Sequence, residues 1–117
     1  MRTITKPWGK EEIWAETDKY VGKLLYINKG HRLSRQYHVK KDETFYVQKG
    51  KMILEIGDPM VDNMQMIPMK KGDSFHCPPN TVHRMIATTD VKVFEVSTPE
   101  LDDVVRLDDV YGRNDKK

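Results

Sequence analysis

The sequence predicts an all-β fold, built as an antiparallel sandwich or small barrel. Three observations carry this prediction. Short segments rich in Val, Ile, Tyr, Phe and Thr alternate between apolar and polar residues. Turn-forming residues separate them at intervals of about 8–12 residues. Helical periodicity is almost absent.

The predicted strands run over Glu11–Glu16, Tyr20–Asn28, Leu33–His38, Thr44–Gln48, Lys51–Ile56, Met64–Met69, Ser74–Cys77, Arg84–Thr88 and Val91–Val96. Between them lie Lys29-Gly30, Lys49-Gly50, Gly57-Asp58-Pro59, Lys70-Lys71-Gly72-Asp73, Pro78-Pro79-Asn80 and Thr89-Asp90, all turn chemistry. A Lys-Gly turn, a strand and a histidine occur twice, around Gly30 to His38 and Gly72 to His83. In the tail, Asp102-Asp103 and Asp108-Asp109 predict a short helical turn followed by an extended arm. Met52, Met60, Met64, Met66, Met69 and Met85 read as flexible filling of the core.

A chain of 117 residues suits a single domain over 1–117, with no linker or low-complexity segment dividing it. Hydrophobic residues at 38% and charged residues at 32% describe a soluble globular chain rather than a disordered one. The net charge of +2 gives no field that would select nucleic acid or an anionic membrane, so neither is an expected partner. No apolar run reaches the roughly 18 residues of a membrane helix, and the N-terminus lacks the apolar stretch of a secretory signal. The lone Cys77 excludes an internal disulfide and a thiolate-rich metal site, so a reducing, cytoplasmic setting is expected.

The chemistry concentrates in two segments. In GHRLSRQYHVKKDETFYVQKG, Gly30 to Gly50, Gln36 and His38 are two residues apart and share a strand face. Val39 to Asp42 form a connection of hairpin length, and Glu43 opens the next strand at the level of His38. In GDSFHCPPNTVHRM, Gly72 to Met85, a proline-fixed turn holds His83 at a strand entrance. Gln36, His38, Glu43 and His83 can therefore converge on one divalent ion. Two imidazoles, a carboxylate and an amide oxygen suit zinc first, then manganese, iron, cobalt or nickel. Each residue also has a plainer reading, as a surface amide, a hydrogen-bonded core histidine or a hairpin-base glutamate. His31 and His76 fall outside the pattern and are read as non-ligands.

These two segments resemble the paired motifs of cupins, the first spanning 30–50 and the second 72–87, with a C-terminal arm over 99–117. The resemblance implies a single-domain double-stranded β-helix, or jelly-roll barrel. Gln36, where the first motif usually has histidine, resembles the cupin domain of type II mannose-6-phosphate isomerases. So do the entry KPWGKEEIW, the run YVGKLLYINKGHRLSRQYH and the tail DDVVRLDDVYGR. The likeness extends over residues 6 to 113. Lys41 to Phe45 and Pro79-Asn80 depart from the family pattern. A nucleotidyltransferase joined to this domain in many members has no room here and is not expected.

The resemblance implies a metal-dependent isomerase that moves a proton between C2 and C1 of a sugar phosphate, mannose 6-phosphate first, through an enediolate. Such chemistry needs charge stabilisation, a base and a cationic clamp for the phosphate. Glu95, sharing a strand face with Val93 and Ser97, is the expected base. Lys23, between Gly22 and Leu24, is expected to face the cavity, and Arg106 matches the arginine of the family's tail, which the resemblance assigns to binding phosphate or helping the proton transfer. Outward-facing positions, or a surface ion pair for Arg106, are the plainer readings. Arg84 follows His83 directly and points to the opposite face. The alternative function is a non-catalytic metal-binding cupin that takes a sugar or small carboxylate as a sensor or accessory protein. A metal-dependent oxygenase is a third reading, which Gln36 as a fourth ligand disfavours. The entry strand around Trp8 to Trp14 is expected to pair with a second copy as a homodimer, unless both tryptophans lie in the core. Tyr111-Gly112-Arg113 is expected to pack the tail onto the barrel or a partner.

Overall fold

Alternation on each segment sends one set of side chains inward and the other to solvent, and a chain built this way closes as two facing sheets. The computed structural model describes residues 2–112 and shows that arrangement. The strands are β1 (Arg2–Lys6), β2 (Gly9–Glu16), β3 (Val21–Ile27), β4 (Arg35–Tyr37), β5 (Glu43–Lys49) and β6 (Lys51–Asp58). They continue as β7 (Val61–Lys70), β8 (Ser74–Cys77), β9 (Val82–Ala87), β10 (Val91–Ser97) and β11 (Val105–Asp108). One antiparallel sheet has the order β1-β2-β3-β10-β5-β8 and the other β11-β4-β9-β6-β7. The sheets face one another without closing into a continuous barrel.

All nine sequence-predicted strands are present, Ser74–Cys77 with the expected ends and the other eight with shifted ends. Two further strands, β1 and β11, form the sheet edges. β1 pairs along its length with β2, from Arg2 opposite Ile13 to Lys6 opposite Gly9. β11 pairs with β4, placing Arg106 opposite Gln36. The expected helical turn is absent: Leu101 and Asp102 make a simple turn and no described residue is helical. The arm is indeed extended, but as a paired strand, because its backbone finds β4 unpaired on that side. Tyr111 packs against the core, and its hydroxyl lies 2.6 Å from His31 Nδ1. Arg113 lies outside the described residues.

The inward-facing series on each central strand changes character along its length. β3 reads Ile27, Leu25, then Lys23; β10 reads Val91, Val93, then Glu95; β5 reads Val47, Phe45, then Glu43; β9 reads Ala87, Met85, then His83. The registers set Leu25 opposite Val93 and Lys23 opposite Glu95, so like meets like across the sheet. One end of the sandwich is thus a packed apolar core around Phe45, Val47, Leu54, Met85 and Val93. Each such side chain contributes roughly 1.5–3 kcal/mol by leaving water. The other end is a polar cavity.

Met52, Met69 and Met85 fill the core as expected, whereas Met60 is 90% exposed and Met66 is exposed as well. These two sit on the β6–β7 hairpin, one at its turn and one on its outer face. Trp8 is buried in the core, so it is withdrawn from any partner, while Trp14 is 51% exposed over Gly22. Gly9 is needed where it stands, since a Cβ there would collide with the Tyr26 carbonyl oxygen.

Candidate metal centre

Each of the three strongest candidates is held by backbone. His38 lies one residue beyond β4, and its Nδ1 donates to the Asp103 carbonyl oxygen at 2.5 Å. His83 is the second residue of β9, and its Nδ1 donates to the Thr81 carbonyl oxygen at 2.9 Å, with Cys77 Sγ at 3.3 Å. These bonds fix both rings with Nε2 turned into the cavity, the second-sphere arrangement that prepares imidazoles for a metal. Glu43, the first residue of β5, has its Oε2 3.0 Å from both Nε2 atoms. All three side chains are buried, and their ligand atoms lie within 4.8 Å of one another.

Glu43 Oε2 is buried and forms no aligned hydrogen bond. With both Nδ1 protons directed at carbonyl oxygens, lone pairs of three atoms converge, and a cation is required between them. Burial opposes a charged His83, but the Cys77 sulfur and the Glu43 carboxylate outweigh it and raise the imidazole to about 10. Burial likewise opposes the Glu43 anion, yet His38, His83 and Lys41 hold its carboxyl well below the usual range. The donor set fits a divalent cation that favours mixed nitrogen and oxygen ligands. Gln36 stands opposite His83 on β4, its amide nitrogen 3.5 Å from the Ser34 carbonyl oxygen.

The cavity next to the cluster encloses about 280 Å³. Lys23, Glu95 and Arg106 all line it. Glu95 is buried, and burial followed by the nearby Glu43 charge raises its carboxyl above the usual value. Arg84 directs its guanidinium to Glu55, Nη2 to Oε2 3.2 Å, and Nη1 lies 3.4 Å from Asp108. His76 sits at the surface against Asp42, and His31 against Tyr111, both apart from the cluster.

Three charged cavity residues paired to the site, Lys41, Glu11 and Lys6, were not among the sequence-predicted site residues. Lys41 Nζ lies 3.3 Å from both Glu43 Oε1 and Glu95 Oε2, bridging a candidate ligand to the candidate base. Burial would lower the Lys41 ammonium, but Glu95 and Glu43 hold it above its usual value. Glu11 and Lys6 also line the cavity, from β2 and β1. The sequence signal for Glu11 was present, since it alternates with Ile13 on β2.

The family model for the cupin domain matches residues 23–97. This chain belongs to the cupin family. Among curated proteins it is similar to a 3-hydroxyanthranilate 3,4-dioxygenase of Podospora anserina, with 35% identity over 68% of this chain and 45% of the relative. It is also similar to the mannose-1-phosphate guanylyltransferase ManC of Salmonella typhimurium, with 28% identity over 96% of this chain and 23% of the relative. The chain thus spans less than half the length of either relative. Among solved structures, the capsular polysaccharide assembling protein CapF of Staphylococcus aureus superposes with TM-score 0.82 at 17% identity, covering 92% of this cupin and 31% of CapF. KdgF from a Halomonas species gives 0.75 at 21% identity, covering 87% and 89%. At such identities these two structures support the fold alone.

Proposed function

We propose that this cupin is a metal-dependent sugar-phosphate aldose–ketose isomerase, with mannose 6-phosphate and fructose 6-phosphate as the expected pair. The observation that carries the reading is Glu95: a buried carboxyl, its pKa raised above the usual value by burial and the Glu43 charge, in the same cavity as His38, Glu43 and His83. The likeness to mannose-1-phosphate guanylyltransferases across nearly the whole chain supports a mannose phosphate as the substrate class.

His38, Glu43 and His83, with the Gln36 amide oxygen as a fourth ligand, would hold the divalent ion. Once bound, it would supply Lewis acidity that stabilises negative charge on substrate oxygens. Glu95 takes the proton from one carbon and returns it to its neighbour, a task its raised pKa suits. Lys41 fixes the position of Glu95 through Oε2. Lys23, opposite Glu95 on β3, lends positive charge to substrate oxygens. Arg106, across from Gln36 on β11, faces the substrate as a cationic partner of its oxygens.

The test is a coupled assay of the purified chain, charged with each of several divalent metals, against a panel of hexose phosphates. The reading predicts interconversion that chelation abolishes and metal restores. Its absence from metal-replete protein would contradict it. The 35% identity with a dioxygenase favours a second reading, an oxygen-consuming cupin; oxygen uptake with an iron-loaded chain would select it instead.

A further inference from the structure

The cavity carries a second charged cluster that neither the candidate ligands nor the candidate base explains. Lys6 on β1, Glu11 on β2 and Lys23 on β3 all line it. Two ammonium groups converge on one carboxylate oxygen: Lys23 Nζ is 3.5 Å and Lys6 Nζ 3.9 Å from Glu11 Oε1. Glu11 and Lys23 are buried and Lys6 is a quarter exposed. Taken by itself, this trio holds two positive charges and one negative. The trio at the other end inverts the pattern, with one ammonium, Lys41, between the carboxylates of Glu43 and Glu95. The β1 end of the cavity therefore carries a cluster with an excess of positive charge.

We propose that Lys6, Glu11 and Lys23 form the phosphate subsite of the cavity, with the two lysines as donors and Glu11 holding them in place. The inference rests on the sugar-phosphate reading and adds to it where the phosphate sits. Lys23 lies directly opposite Glu95 across β3 and β10, and β2 and β1 follow in the sheet. At about 4.8 Å per strand, the trio begins one spacing from the base and extends outward, the reach of a hexose chain ending in phosphate. In a water-poor cavity, ammonium–phosphate hydrogen bonds are short and strong. Glu11 orders both long side chains before the ligand arrives, which reduces the entropy lost on binding.

The probe is inorganic phosphate, titrated calorimetrically into the metal-loaded full chain, with mannose 6-phosphate and mannuronate as further arms. Lys6→Gln is expected to weaken phosphate binding about tenfold, the loss of one charge-assisted hydrogen bond, with metal content unchanged. Glu11→Gln keeps the shape but removes the charge that orders the two ammonium groups, so it is expected to weaken phosphate binding, whereas a merely structural trio would lower stability and leave phosphate affinity unchanged. Should Glu11→Gln fail to fold, Lys6→Gln on the rim strand still decides. Unchanged phosphate affinity in Lys6→Gln, or tighter binding of mannuronate than of mannose 6-phosphate, would overturn the proposal. Lys6-dependent phosphate binding without any isomerisation would instead count against the isomerase reading alone.

Discussion

Glu95 is a carboxyl with two opposed influences on it: burial and Glu43 raise its pKa, while Lys41 and Lys23 lower it. That balance suits a group that must both accept and return a proton. Glu95→Gln keeps the shape and removes the basicity, so kcat for the isomerisation is expected to fall by about 10²–10⁴-fold with metal content intact. Steady-state kinetics beside metal analysis checks this, and activity within a fewfold of wild type would remove Glu95 from the chemistry. The sequence made His38, Glu43 and His83 readable because glycine and proline punctuation fixes their places at strand ends. Lys41 was unreadable for a physical reason. Its polar neighbours Lys40 and Asp42 look like an exposed hairpin, but Asp103 gathers the backbone N–H groups of Val39, Lys40 and Lys41 onto its carboxylate. Burial would raise the Asp103 carboxyl, yet these N–H groups hold it below its usual value. This tie, 62 residues away along the chain from Lys41, turns the loop inward, and no local pattern announces it.

At the scale of elements, β4 is only three residues long and needs help to stay in its sheet. Glu55 of β6 binds Arg84 of β9 and Arg35 of β4, tying three neighbouring strands together. Burial would raise the Glu55 carboxyl, but the two guanidinium groups outweigh it and lower it below 4.5. A carboxyl depressed in the folded state stabilises above its unfolded pKa, and that contribution is lost as pH falls through the folded value. Glu55→Gln should therefore cost about 3 kcal/mol at neutral pH by leaving buried Arg84 with only the exposed Asp108 carboxylate. The gap from wild type should narrow below about pH 4.5. Denaturant melts across pH test this, and a gap independent of pH would refute the role of charge. The same elements show where sequence reading stopped. β1 and β11 are short edge strands whose alternating residues include Arg2, Lys6 and Arg106, so their inward faces look like solvent faces. Their strand character comes from the neighbour that each completes.

Viewed whole, the molecule divides its interior between stability and chemistry. The apolar half supplies burial, and the polar half gathers charged or titratable side chains that would be costly to bury singly, among them Lys6, Glu11, Lys23, His38, Lys41, Glu43, His83 and Glu95. They are tolerated because each has a partner of opposite charge or, for the histidines, a carboxylate and a carbonyl oxygen. The all-β class and the two-motif arrangement were legible because period-two patterning and turn residues are local properties. The choice between sandwich and closed barrel, and the set of charged side chains that meet in the cavity, were not, because both depend on strands far apart in sequence. The account turns on a cation held by His38, Glu43 and His83. Its most direct test is elemental analysis of wild type and the His38→Ala/His83→Ala double variant, purified identically and shown by circular dichroism to keep the β fold. The expected result is about one divalent ion per wild-type chain and almost none in the variant; a variant that retains the wild-type stoichiometry would contradict the assignment.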